Sequence, residues 1–145
     1  MTWLKKIFGK GGDVAPPYGG RLETQFVYVR MPGDVQPVER HYLFEDPIQE
    51  QLQLRNLGYV SGGGTMQSAP DENGATTIIL TGIDIEADDL DAVRDLLRTL
   101  LPELGAPLET QIEYTVGDTR LQDRLTGAGW IVNEPRTDLH PGFDL

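Results

Sequence analysis

Residues 76–104 read TTIILTGIDIEADDLDAVRDLLRTLLPEL and hold the two strongest structural signals of the chain. Thr76 to Ile85 is dense in β-branched side chains, which suit a pleated, half-buried surface, so it reads as a strand. Leu90, Val93, Leu97, Leu100, Leu101 and Leu104 then recur at spacings of three and four, which marks a helix with one apolar face. Between the two lies an acidic junction. Asp88 is placed to cap the helix, with Asp89 and Asp91 in the first turn, where the positive end of the helix dipole favours carboxylates. Pro102 should kink or end this helix, and Gly105-Ala106-Pro107 closes it.

Toward the amino terminus, residues 68–74 (SAPDENG) carry hairpin chemistry, with Asn73-Gly74 suited to positive φ. Tyr59 to Met66 reads as a strand weakened by Gly62, Gly63 and Gly64. Asp46-Pro47-Ile48-Gln49 reads as a helix start, with Asp46 the cap, Pro47 at the first helical position and Gln49 completing a capping box. Ile48 and Leu52 form its core stripe, helped by Leu54 or Leu57, and Gly58 stops it. Residues 31–37 (MPGDVQP) read as a loop, and residues 22–30 (LETQFVYVR) alternate as an internal strand. Toward the carboxyl terminus, Thr110 to Val116 is a fourth strand and Arg120 to Leu125 a short helix ending at Gly127. Trp130-Ile131-Val132 is strand-like, and residues 136–145 form an extended tail.

The order β-α-β-β-α-β predicts an α+β fold of the ferredoxin-like kind, an antiparallel sheet with both helices on one face. The expected organisation is a basic arm and linker over residues 1–20, then a single domain over 21–145. Within that domain the core covers 22–116, and an α-β extension covers 117–145. A length of 145 residues suits one domain.

The chain has 23 acidic and 12 basic side chains, a net charge of −11, and no cysteine. Lack of cysteine excludes disulfides, thiolate metal sites and cysteine nucleophiles, and the acidity argues against gripping a nucleic-acid backbone. Residues 1–40 hold six basic and four acidic side chains, a net of +2, so residues 41–145 carry −13. The arm places Trp3, Leu4, Ile7 and Phe8 on one face, with Lys5, Lys6 and Lys10 away from it. Docking on the domain, or a frayed start, is preferred to a membrane anchor, because so short a segment buries too little apolar area. Lysines break its apolar stretch and no small-residue cleavage site follows, so it does not read as a secretory signal. No apolar run approaches the roughly 20 residues of a membrane helix. Cytoplasmic residence without stable membrane insertion is expected.

The acidic run Asp84, Glu86, Asp88, Asp89 and Asp91 is the leading candidate site. A calcium loop starting at Asp84 fails: Asp89 stands where Gly is needed, Asp95 where a bidentate Glu is needed, and Ile85 and Leu90 belong to a core. What remains is a solvated helix start or an acidic face for a basic partner, which concentrated like charge would steer. Gly62-Gly63-Gly64-Thr65 lacks the Gly-Lys-Ser/Thr and following helix of a phosphate loop, and reads as a bulge or a place of close backbone approach. His41 and His140 are too few and too far apart for a metal site. His41 with Ser61 lacks a catalytic motif, and the neighbours Glu45 and Asp46 give paired-carboxylate chemistry no positive support. No catalytic, cofactor or metal residues are assigned.

Phe44-Glu45-Asp46-Pro47, Gly62-Gly63-Gly64-Thr65, Gly82-Ile83-Asp84-Ile85-Glu86 and Leu104-Gly105-Ala106-Pro107 together give residues 22–116 a resemblance to a group of small bacterial proteins. Some acidic proteins of this size are similar to immunity proteins that neutralise a cognate toxin, and the resemblance implies an inhibitor role without catalytic residues. The expectation is therefore a non-enzymatic acidic binding protein that covers a basic toxin surface, with aromatic anchors from the His41-Tyr42 region or the tail around Phe143. The rivals are a small-ligand or enzymatic domain working in a cleft, and a homodimer pairing sheet faces or edges.

Overall fold

The computed structural model describes residues 24–33 and 35–136. The arm at 1–20, Leu22 and Glu23 of the first expected strand, and the tail from residue 137, with His140 and Phe143, lie outside the described residues.

Six strands form one antiparallel sheet: β1 (Gln25–Pro32), β2 (Gly58–Gln67), β3 (Ile78–Ala87), β4 (Gln111–Val116), β5 (Thr119–Thr126) and β6 (Gly129–Pro135). Their spatial order is β2-β3-β1-β4-β5-β6. β1 alternates, so Val27, Val29 and Met31 point to one face, opposite Ile85, Ile83 and Thr81 of β3. Onto that face pack Ile48 and Leu52 of α2 (Asp46–Arg55) and Val93, Leu97 and Leu101 of α3 (Leu90–Glu103), in one cluster with Ile112 and Tyr114 of β4. The fold is thus α+β, with the helical layer on one side of the sheet.

The sheet has six strands rather than the four expected, because the segment expected as an α-β extension continues it as β5 and β6. Arg120 to Leu125 is strand, not helix. Leu121 and Leu125 suit a helix at i and i+4, but they equally flank Asp123 in a period of two, and tight turns at Gly117-Asp118 and Gly127-Ala128 fold the segment into hairpins. Asp123 is the most deeply buried residue of that alternation, fully hidden from solvent, with Leu125 buried beside it.

The first helical run also begins earlier than expected. Gln36 caps a short α1 (Pro37–Glu39): Glu39 Oε1 accepts from the Gln36 amide at 2.9 Å, and Pro37 takes the first position. So the end of MPGDVQP is helical rather than loop. A π segment (Arg40–Glu45) joins α1 to α2, with the Asp46 amide reaching back to the His41 carbonyl. Pro47 has no amide to donate and its ring clashes with the carbonyl four residues back, and the widened turn just before it relieves that conflict. Asp46 is consequently not a cap. At α3 the cap is Asp89, whose side chain accepts from the Ala92 amide at 3.1 Å, rather than Asp88. The β2–β3 turn matches expectation: Gly74 has φ +80°, and Asp71 Oδ1 receives the amides of Asn73 and Ala75.

Candidate functional site

The sheet face away from the helices carries polar and charged side chains. Phe26, Tyr28 and Arg30 of β1 stand opposite Glu86, Asp84 and Gly82 of β3, and Tyr28 also pairs with Glu113 of β4. Glu113 is fully buried beneath Arg30, whose Nε lies 2.6 Å away, with Arg136 at 3.9 Å. Burial lowers the Arg136 pKa; Glu113 opposes the shift, and neighbouring Arg120 and Arg30 add to it. The Tyr28 ring lies flat across Gly82, where any Cβ would collide with it. Burial pushes the Tyr28 hydroxyl up to about 12.

At the β2 end this face opens into a shallow cleft of about 290 Å³, lined by Tyr28, Gly63, Gly64, Thr65, Met66, Leu80 and Asp84. The glycines of β2 make it. A Cβ at Gly64 would meet nothing within 4 Å, so the strand is bare there. At Gly62 a Cβ would fall 3.2 Å from Asp84 Oδ2. At Gly63, on the opposite face, it would fall 2.5 Å from Glu45 Oε2 and 3.3 Å from Arg40 Nε. Glu45 accepts from Arg40 at 2.9 Å and lies 3.3 Å from His41 Nδ1, so the π segment sets an ion pair directly over a strand lacking a side chain. Of the two expectations for the glycines, a bulge or a close backbone approach, the bulge lies between Val60 and Gly62, and what covers Gly63 from the helix side is a side-chain ion pair; β2 runs ten residues, with a second irregularity in its ladder between Met66 and Gln67.

The five predicted acids are not one patch. Asp84 and Glu86 sit part-buried on the open sheet face, where Glu86 accepts from Thr24 at 2.8 Å and from Ser61 at 3.4 Å. Asp88, Asp89 and Asp91 are exposed at the β3–α3 junction, continued by exposed Asp95 on α3. Asp89 is occupied as the helix cap, and Asp91 lies 3.5 Å from Arg94. His41 belongs to the Glu45-Asp46 corner, and Ser61 to Glu86. Among the described residues no group of three or more His, Cys, Asp or Glu could hold a metal ion.

A second polar centre was not anticipated. On the helix face Asp123 accepts from Arg94 Nε and Nη2, each at 2.9 Å, from Arg98 at 2.7 Å, from the Tyr114 hydroxyl at 2.8 Å and from the Asn133 amide at 3.0 Å. Burial alone would raise its pKa, but these donors outweigh burial and hold it below the ordinary carboxylate value. Burial and the bond to Asp123 push the Tyr114 hydroxyl well above its usual range. The Arg94 guanidinium also lies 4.1 Å from the Tyr114 ring centre. The signal in sequence was the pair Arg94 and Arg98, one helical turn apart on a partly apolar face. Their partner lies 25 to 29 residues on and is identified only by the fold. With its lone pairs taken by donors, Asp123 is a structural staple joining α3 to β5 and β6, not a base.

Nearby, Arg124 binds Glu134 at 2.9 Å and Glu109 at 3.1 Å, and Gln122 also donates to Glu134. Those bonds hold the Glu134 carboxyl down at about 2. The described arginines are thus mostly spent on internal pairing: Arg30, Arg40, Arg94, Arg98, Arg124 and Arg136 each lie within reach of a carboxylate. Of the described arginines only Arg55 and Arg120 are exposed. No helix among the described residues is long and apolar enough to cross a membrane. No protein-family model matches the chain, and no curated protein or solved structure matches it.

Proposed function

We propose that this protein is a non-enzymatic acidic binding protein whose partner presents a basic surface. In its concrete form it is an immunity- or antitoxin-like inhibitor, resident in the cytoplasm, that covers a toxin's cationic face. The observation that carries the reading is the way charge is sorted. Six of the eight described arginines lie against carboxylates, while Asp88, Asp89, Asp91 and Asp95 stay exposed around one helix start, Asp91 and Asp95 within reach of Arg94 and Arg98. Such a surface steers a cationic partner and speeds encounter, an effect that weakens as salt rises. As part of the same proposal, β1 to β4 with α2 and α3 form a ferredoxin-like unit to which the β5–β6 hairpin is added. In support, each helical connection steps over one strand in the order β2-β3-β1-β4.

Copurification of the full chain from its native cell at low salt supplies the partner. Its affinity is then compared for the wild type and for a variant with Asp88, Asp89 and Asp91 changed to Lys. The reading predicts weaker association and a flatter salt dependence; equal affinity after reversal would remove the acidic junction from the interface. A second reading, a small-ligand site, has one observation in its favour, the cleft between Tyr28, Met66, Leu80 and Asp84. At about 290 Å³ it sits at the lower end of the range usual for small-molecule sites.

A further inference from the structure

Among the described residues β2 is an outer strand of the sheet, and its ten residues, GYVSGGGTMQ, include no charge and no proline. Charge and proline are two of the devices by which outer strands normally refuse another strand; a third, the bulge, lies at Ser61 and leaves Gly62 to Met66 regular. The Val60 amide points outward and is capped by Gln49 Oε1 at 2.7 Å. Past the irregularity at Ser61 the antiparallel alternation turns the backbone groups of Gly63 and Thr65 outward in the same way. Gly63 and Gly64 are exposed. Carboxylates stand behind these glycines on both faces, Asp84 beside Gly62 and Glu45 over Gly63.

We propose that the outer edge of β2, from Ser61 to Gln67, receives an extended, positively charged segment of a partner protein as a seventh strand. Backbone bonds to Gly63 and Thr65 supply the attachment. A long cationic side chain of the incoming strand lies across the bare lane at Gly62 and Gly64 toward Asp84. β3 is two strand spacings, roughly 9–10 Å, from such a strand, a gap that an extended arginine and an aspartate span together. A carboxylate has several acceptor positions and takes an added donor without losing the others. Charge selects this occupant over a second copy of the chain, because self-pairing would bring Asp84 toward its own equivalent in two molecules of net charge −11, while Glu45 is already paired with Arg40. The inference rests on the basic-partner reading above and specifies which surface and which backbone conformation meet.

The test uses the full-length chain and three labelled decapeptides: alternating Arg-Thr, alternating Gln-Thr, and the Arg-Thr peptide with every backbone amide N-methylated, so that neither of its edges can donate. Fluorescence anisotropy should show the plain Arg-Thr peptide binding at least about tenfold more tightly than either of the others. Gly64→Val, whose side chain has open space to occupy, should reduce binding by a similar factor while leaving the circular dichroism spectrum unchanged. Amide shifts on titration should centre on Gly63 and Thr65. If the N-methylated peptide bound as well as the plain one, edge pairing would be wrong whatever Gly64→Val did to the protein. If binding then fell with Asp88, Asp89 and Asp91 changed to Lys, the acidic-surface reading would survive alone. Equal binding of the Gln-Thr peptide would overturn the cationic specificity, and absence of binding by all three would overturn the site. Concentration-dependent dimerisation lost in Gly64→Val would give the edge to a second copy and overturn the occupant named here.

Discussion

The two outer strands of one sheet are finished in opposite ways. β6 (GWIVNEP) carries Glu134 and Pro135 and is tied down along its length. The Trp130 indole donates to the Arg98 carbonyl at 2.8 Å, Asn133 joins the Asp123 centre, and Glu134 is held by Arg124 and Gln122. β6 is offset near Asp123, with Asn133 at φ +56°, and β2 is offset at Ser61, after which its ladder resumes and stays regular from Gly62 to Met66. β2 has no charge, three consecutive glycines and one side-chain cap, Gln49 at Val60. The contrast separates stability from recognition. Ionic groups at the β6 end are consumed by the fold, while at the β2 end the fold withholds side chains and leaves Gly63 and Gly64 exposed, with Asp84 part-buried behind them.

The largest effect is expected at the closed end. Asp123→Ala leaves Arg94 and Arg98 facing a hole where their carboxylate was, and breaking a buried ion pair from one side costs about 3–5 kcal/mol. Urea unfolding should show that loss with β6 amides exchanging faster than those of β3. A loss below 1 kcal/mol would mean that the Asp123 centre behaves as a surface pair and that β6 is held by other contacts. Next is Gly82→Val, which drives a side chain into the Tyr28 ring; overpacking of this kind costs about 1–3 kcal/mol. Tyr28 is on the open face, so the same variant should disturb the cleft, measured by its amide shifts, and leave the Asp123 centre unchanged.

The pH dependence sharpens the comparison from another side. The folded pKa of Asp123 is depressed. Its contribution is complete above the unfolded carboxylate value, about 4, and is lost as pH falls through the folded value. Stability of the wild type should therefore drop below about pH 4, and Asp123→Asn should flatten that slope. Parallel slopes in the two proteins would show that other carboxylates drive acid unfolding. The smallest effect is at the acidic junction, where Asp89→Ala removes the α3 cap and should cost about 1 kcal/mol. An unchanged midpoint would return Asp89 to the solvated surface.

Sequence legibility follows the same divide. β3 and α3 were readable because their patterns are local: β-branched residues in a row, then leucines at helical spacing. β5 escapes a local reading because its inward face includes a carboxylate, and a buried Asp123 makes sense only with Arg94 and Arg98 covering it. The start of the first helical run was displaced because Asp46-Pro47 imitates a start, while the operating signal, Gln36-Pro37 with Glu39, lay inside a proline-rich stretch. The glycines of β2 announced a bulge or a close approach, but only the fold reveals that the Glu45 and Arg40 side chains cover Gly63 and that Gly64 stays bare. The five acids were visible as a run, and a strand followed by a helix divides them between a sheet face and a helix start.

Hydrogen exchange of the full chain with and without its copurified partner tests the central claim most directly. The account predicts new protection at the outward amides of Gly63 and Thr65, together with slower exchange around Asp88 to Asp91, and no change along β6. Protection confined to β6, or none in β2, would contradict it.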